Sequence, residues 1–70
     1  MINTRAVKSR MVLLGLTQPA VAKAMGINVA TFNAKLHGRR IYLDEAIKLR
    51  DILQLTTPEE IKEHLGVVLI

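Results

Sequence analysis

The stretch TQPAVAKAMGINVATFNAKL, residues 17–36, decides the fold. Two signals stand side by side in its middle, at Gly26 and Asn28. Glycine takes a positive φ without a Cβ penalty, so Gly26 ends a helix. Asparagine is a favoured N-cap, because its side-chain oxygen accepts a backbone N–H of the helix that follows. The spacing predicts one helix from Gln18 to Met25, a sharp turn at Gly26, and a second helix from Val29 to His37. Val21, Met25, Ile27, Phe32 and Leu36 supply the apolar side that holds the pair together. Ala22 falls where two crossing helices approach closely, so a larger side chain should not fit there.

Upstream, Val7, Met11 and Leu14 recur at i, i+4 and i+7, which predicts a helix from Thr4 to Leu14 closed by Gly15. Leu16 then packs on the next element. Arg5, Lys8 and Arg10 fall away from the apolar stripe, as a solvated strut face or one that touches phosphate. Thr17 caps the next helix, and Pro19 is tolerated in its first turn, where N–H groups lack intrahelical partners. Downstream, Ile41 and Tyr42 bridge to a fourth helix from Leu43 to Leu53, with Leu43, Ala46, Ile47, Leu49 and Leu53 as a broad apolar face. Thr57-Pro58-Glu59-Glu60 opens a fifth, with threonine capping, proline first and Glu60 completing a capping box. Ile61 and Leu65 form its buried side, and Gly66 stops it.

The chain therefore reads as one all-α domain of five helices over residues 1–66, followed by an apolar tail, Val67-Val68-Leu69-Ile70. The tail is read first as a dimerisation segment. It alternatively folds back on its own domain, or the chain is cut from a longer protein. With 70 residues, no Cys and two His in separate helices, disulfides, thiol chemistry and a metal site are not expected, nor is a cofactor. No apolar run reaches the length of a membrane span, and a reducing cytosol suits the composition. An enzyme is disfavoured, since no nucleophile–base pair stands out and the chain offers little volume for a small-molecule pocket.

Charge is divided along the chain. Residues 1–40 hold Arg5, Lys8, Arg10, Lys23, Lys35, Arg39 and Arg40 and no acid. Residues 41–70 hold Lys48, Arg50 and Lys62 against Asp44, Glu45, Asp51, Glu59, Glu60 and Glu63. The first half is built to meet an anion. Helix starts repeat the contrast. The fourth and fifth open with acids, which complement the positive end of the helix dipole. The second and third open with Thr-Gln-Pro-Ala and Asn-Val-Ala-Thr, which leaves those ends open to phosphate.

A helix pair of this layout places its second helix in the DNA major groove. With Phe32 and Leu36 inward, the opposite face shows Val29, Ala30, Asn33, Ala34 and His37, with Thr31 and Lys35 at the edges. Asn33 suits an adenine edge or a phosphate. Val29, Ala30 and Ala34 either meet thymine methyls or bury against another part of the protein. Gln18 is read as a phosphate contact and alternatively as plain surface. Arg39 and Arg40 suit phosphates flanking the groove and also complement the helix C-terminus. His37 is polar surface or a DNA contact.

Over TQPAVAKAMGINVATFNAKLHGRR the chain resembles the Cro/C1-type helix-turn-helix family of phage and bacterial regulators, through Thr17-Gln18, Ala22, Gly26-Ile27, Phe32 and the LHG ending at Gly38. YLDEAIKLRDIL and TPEEI extend the resemblance over most of the chain. It implies a compact five-helix bundle of the lambda-repressor-like type. It implies base contacts from Val29, Ala30, Asn33 and Ala34, and phosphate contacts from Gln18, Asn28, Thr31, His37, Arg39 and Arg40. Thr17 and Lys35 complete the expected DNA-binding set. Members bind palindromic operators as homodimers. Apolar residues at matched reading positions depart from the usual Gln, Ser or Lys and imply reliance on methyl contacts and DNA shape. The expected function is a sequence-specific repressor of phage or prophage origin, acting as a homodimer on double-stranded operator DNA in the bacterial cytoplasm. The alternative is an interaction module, such as an antirepressor, that binds another regulator.

Overall fold

A computed structural model describes residues 2–67 of the chain. It contains five helices: α1 (Thr4–Leu13), α2 (Gln18–Met25), α3 (Val29–Leu36), α4 (Leu43–Ile52) and α5 (Pro58–Leu65). There is no strand among the described residues, and no helix there is long and apolar enough to cross a membrane. Helix α2 packs on α3 and α4, α1 packs on α5, and α4 also meets α5. Val7, Val21, Phe32, Leu36, Leu49, Leu53 and Leu65 are the largest side chains fully withdrawn from water. Each contributes about 2 kcal/mol through apolar burial. Ala22 is buried in the same core, as its place at the helix crossing requires.

Local chemistry accounts for the helix starts. The side chains of Asn3, Thr17, Asn28 and Thr57 accept N–H groups from Ala6, Ala20, Thr31 and Glu60. The expected capping box at α5 differs in detail. Glu60 reaches the Thr57 hydroxyl (3.3 Å) and the Thr56 hydroxyl rather than a backbone N–H. At α4 the cap residue is Tyr42, whose side chain does not cap; Glu45 Oε1 accepts the Tyr42 N–H instead, at 3.0 Å.

Helices α1 to α4 share one ending, in which a residue past the helix donates back five positions while its predecessor donates back three. The pairs are Leu16 to Met11 with Gly15 to Val12, Ile27 to Ala22 with Gly26 to Lys23, Arg39 to Ala34 with Gly38 to Lys35, and Leu55 to Arg50 with Gln54 to Asp51. This is the Schellman pattern, whose turning residue is left-handed. Gly26 turns at φ 78°, and a Cβ added there would meet nothing within 4 Å. Backbone torsion, not lack of space, therefore selects glycine at that position.

The structure corrects three readings. Leu43 and Ile47 do not join the buried face of α4 but are exposed. The buried stripe is Ala46, Leu49 and Leu53, and residues adjacent in a helix point about 100° apart, which turns Ile47 off it. Arg10 is not part of a free basic face. Its Nε donates to the Leu53 carbonyl (2.8 Å) and its Nη2 to the Gln54 carbonyl (3.0 Å), so it closes the end of α4. Lys35 is buried rather than placed at the edge of an outward face. Of the apolar tail, Val67 packs half-buried against the core. The rest of the tail, with the dimerisation role expected of it, lies outside the described residues.

Candidate nucleic-acid interface

Helix α3 is anchored by burial of Phe32 and Leu36 and by the Thr4 hydroxyl, which donates to the Leu36 carbonyl. That anchoring leaves the opposite side outside. Val29, Ala30, Asn33 and His37 are exposed, at spacings that put them on one helical face. Val29 is 43% exposed, unlike the burial offered as its alternative. Thr31 and Ala34 lie half-buried at the margin. The face is shallow and small in side chain, so the α3 backbone can approach a surface closely.

The starts of α2 and α3 flank this face. Thr17 is exposed and uses its oxygen to accept the Ala20 N–H (3.3 Å), which leaves its hydroxyl proton to donate outward. Asn28 Oδ1 accepts the Thr31 N–H (2.8 Å), and its amide nitrogen keeps two donors. Gln18 is half-buried. Among the described residues, the N–H groups of Gln18, Val29 and Ala30 have no intramolecular acceptor. No acid stands in the first turn of either helix, whereas α4 and α5 begin with Asp44 and Glu45 and with Glu59 and Glu60. The two helix starts are therefore donors in a positive field, suited to an oxyanion.

The end of α3 adds cations. His37 Nδ1 donates to the Asn33 carbonyl at 2.9 Å, which leaves Nε2 as the free ring nitrogen. A phosphate contact through Nε2 needs the protonated ring. Arg39 and Arg40 follow Gly38, and both are exposed. The Arg40 guanidinium stacks over the exposed Tyr42 ring, 5.6 Å from its centroid.

Lys35 takes no place on this surface. Only 5% exposed, it turns its Nζ inward to Glu45 Oε1 at 2.8 Å and the Arg40 carbonyl at 3.1 Å. Partial burial pushes the Glu45 carboxyl up, but the Lys35 ammonium, the Tyr42 N–H and the nearby Lys48 charge outweigh it and hold that carboxyl below its ordinary value. Sequence reasoning missed Glu45 and Tyr42 as supports of the arginine turn. The only available signal was the Tyr42–Glu45 spacing at a helix start, and tyrosine is not a capping residue.

The structure thus brings the expected residues together, with Lys35 as the exception. Thr17, Gln18, Asn28, Val29, Ala30, Thr31, Asn33, Ala34, His37, Arg39 and Arg40 all lie on α2, α3 or their immediate flanks. The arrangement presents donors and cations beside a helix with small outward side chains, and no acid stands in the first turn of α2 or α3. No curated protein and no solved structure matches the chain. The family model of the Cro/C1-type HTH DNA-binding domain matches residues 7–65, from within α1 to the end of α5. By that match the chain belongs to the family of Cro/C1-type helix-turn-helix DNA-binding domains.

Proposed function

We propose that this DNA-binding domain is a transcriptional repressor that occupies operator DNA as a homodimer, in the phage or prophage setting its sequence resemblance implies. In this reading α3 enters the major groove. Asn33 pairs with a base edge, and Val29, Ala30 and Ala34 meet thymine methyls. Thr17, Gln18, Asn28, Thr31, His37, Arg39 and Arg40 hold the flanking phosphates. A bound dimer blocks RNA polymerase in the cytoplasm of the host.

The observation that carries this reading is Arg39. The residue after the turn is Leu16 for α1, Ile27 for α2 and Leu55 for α4, each packed into or against the core. An apolar contact at this point is the usual companion of the Schellman ending. After α3 the same position holds an exposed arginine. Stability alone favours an apolar residue there, and a polyanion beside α3 accounts for the cation.

Selection of bound duplexes from a random DNA pool tests the reading, followed by binding of the winner at low and moderate salt. An enriched palindrome with half-sites about one helical turn apart, bound with a steep salt slope, supports a dimeric operator-binding regulator. Salt-dependent binding without enrichment contradicts sequence-specific repression. No binding at either salt defeats the whole reading and favours a protein partner on the Val29–Ala30–Ala34 face.

A further inference from the structure

The described core contains one buried charged side chain, Lys35, and its partners all belong to the segment that carries the arginines. Its ammonium donates to the Arg40 carbonyl and to Glu45 Oε1, and it lies over the Tyr42 ring at 5.2 Å from the centroid. The same carboxylate oxygen accepts the Tyr42 N–H, and the same ring carries the Arg40 guanidinium. Between the end of α3 and the start of α4, the chain is thus tied at a carbonyl, an N–H and a ring, all through one ion pair. Replacing such a pair by apolar side chains of similar size is often neutral or stabilising, so stability is a weak reason for it. Fixing a geometry is a better one. A four-carbon stem buried in the core with its charged head held at the rim suits that task.

We infer that Lys35 and Glu45 are positioning residues, which hold the Arg39–Arg40 turn in the conformation that meets DNA. The inference rests on the reading of α3 and its arginines as a DNA-binding surface. In the free protein the cluster fixes the backbone of Arg40 and stacks its guanidinium, so less side-chain freedom remains to be lost on binding. Without the cluster, that ordering falls on the binding step.

The sign of one substitution separates this role from bulk electrostatics. Glu45→Gln removes a negative charge from the protein, so a charge effect alone tightens DNA binding. Loss of positioning weakens it, by about two- to tenfold for one or two newly mobile arginines. The experiment is a double-mutant cycle on duplex affinity at fixed salt, comparing wild type, Glu45→Gln, Arg39→Ala/Arg40→Ala, and all three changes together, with folding of each checked by circular dichroism. Positioning predicts weaker binding by Glu45→Gln, and no further effect of that change once the arginines are gone. Unchanged or tighter binding by Glu45→Gln overturns the inference. So does an equal loss in the arginine-free background, which places the effect in the fold. If wild type fails to bind the duplex, the DNA reading itself fails and takes this inference with it. Should Glu45→Gln not fold, Tyr42→Leu changes an exposed ring and removes the stacking of Arg40. Weaker binding that depends on Arg40 supports the inference, and unchanged binding contradicts it.

Discussion

The turns after α3 and α4 close with the same two backbone bonds. Arg39 returns to Ala34 at 3.0 Å, and Leu55 returns to Arg50 at 3.0 Å. Beyond that the two regions diverge. Leu55 is buried, and the Leu53 and Gln54 carbonyls just past α4 receive Arg10 from a distant part of the chain. Arg39 is exposed, and the backbone past it is tied down by Lys35. The α4 turn uses an arginine to complete the fold, and the α3 turn uses a lysine to complete the fold and leaves its arginines outward. Identical backbone chemistry thus serves closure in one place and presentation in the other. The side chains that separate the two cases are one leucine and one arginine.

Substitutions at either turn separate closure from presentation. The largest expected effect is at the closing turn. Leu55→Ala should lower stability by about 2–4 kcal/mol, read by urea denaturation, because it opens a cavity beneath α4. Duplex affinity of the folded fraction should stay unchanged. Next is Arg10→Met, which keeps the apolar stem but orphans two carbonyls, for a loss of about 1–2 kcal/mol on the same measurement. If Arg10→Met instead spares stability and weakens DNA binding, Arg10 belongs to the basic face after all. The mirror change is Arg39→Leu, which gives α3 the ending of its neighbours. It should lower duplex affinity about tenfold and reduce the salt slope by about 1, with stability equal to or above wild type.

Smaller effects sharpen the same contrast. The Glu45 carboxyl is held below its ordinary value of 4.5 in the fold, so its contribution to stability is complete above that pH. As pH falls through the lower folded value, the contribution is lost. Glu45→Gln should therefore flatten the acid side of the stability profile and leave the pH dependence above neutrality unaltered. At the α4 turn, Gln54 takes the left-handed conformation (φ 56°) that glycine holds in the other three. Gln54→Gly should raise the melting temperature slightly, for a gain of about 0.5–1 kcal/mol after the added freedom of the unfolded chain.

Much of this arrangement was readable from neighbouring residues. Thr17, Asn28 and Thr57 cap by contacts three residues long, and Gly26 acts through its own torsion, so sequence alone located α2, α3 and α5. The outward face of α3 followed from the inward pair Phe32 and Leu36. What escaped were contacts between distant residues. Arg10 meets carbonyls 43 and 44 positions away. Lys35 meets Glu45 only because the intervening turn brings the first turn of α4 back to the end of α3. Gln54 offers no local sign that it will turn left-handed, since the demand comes from Leu55 needing to reach the core. Leu43 and Ile47 fit a helical stripe as well as Leu49 does, and only packing decides which stripe is covered.

The most direct test of the contrast is a titration of the isotope-labelled protein with a short duplex at low salt, followed by amide chemical shifts. A DNA-binding surface on α3 and its turn predicts perturbations at Gln18, Asn28 to Ala34 and His37 to Arg40, with Gln54 and Leu55 silent. Perturbations centred on the α4 turn and α5, or none at all under conditions where the protein is folded, would contradict it.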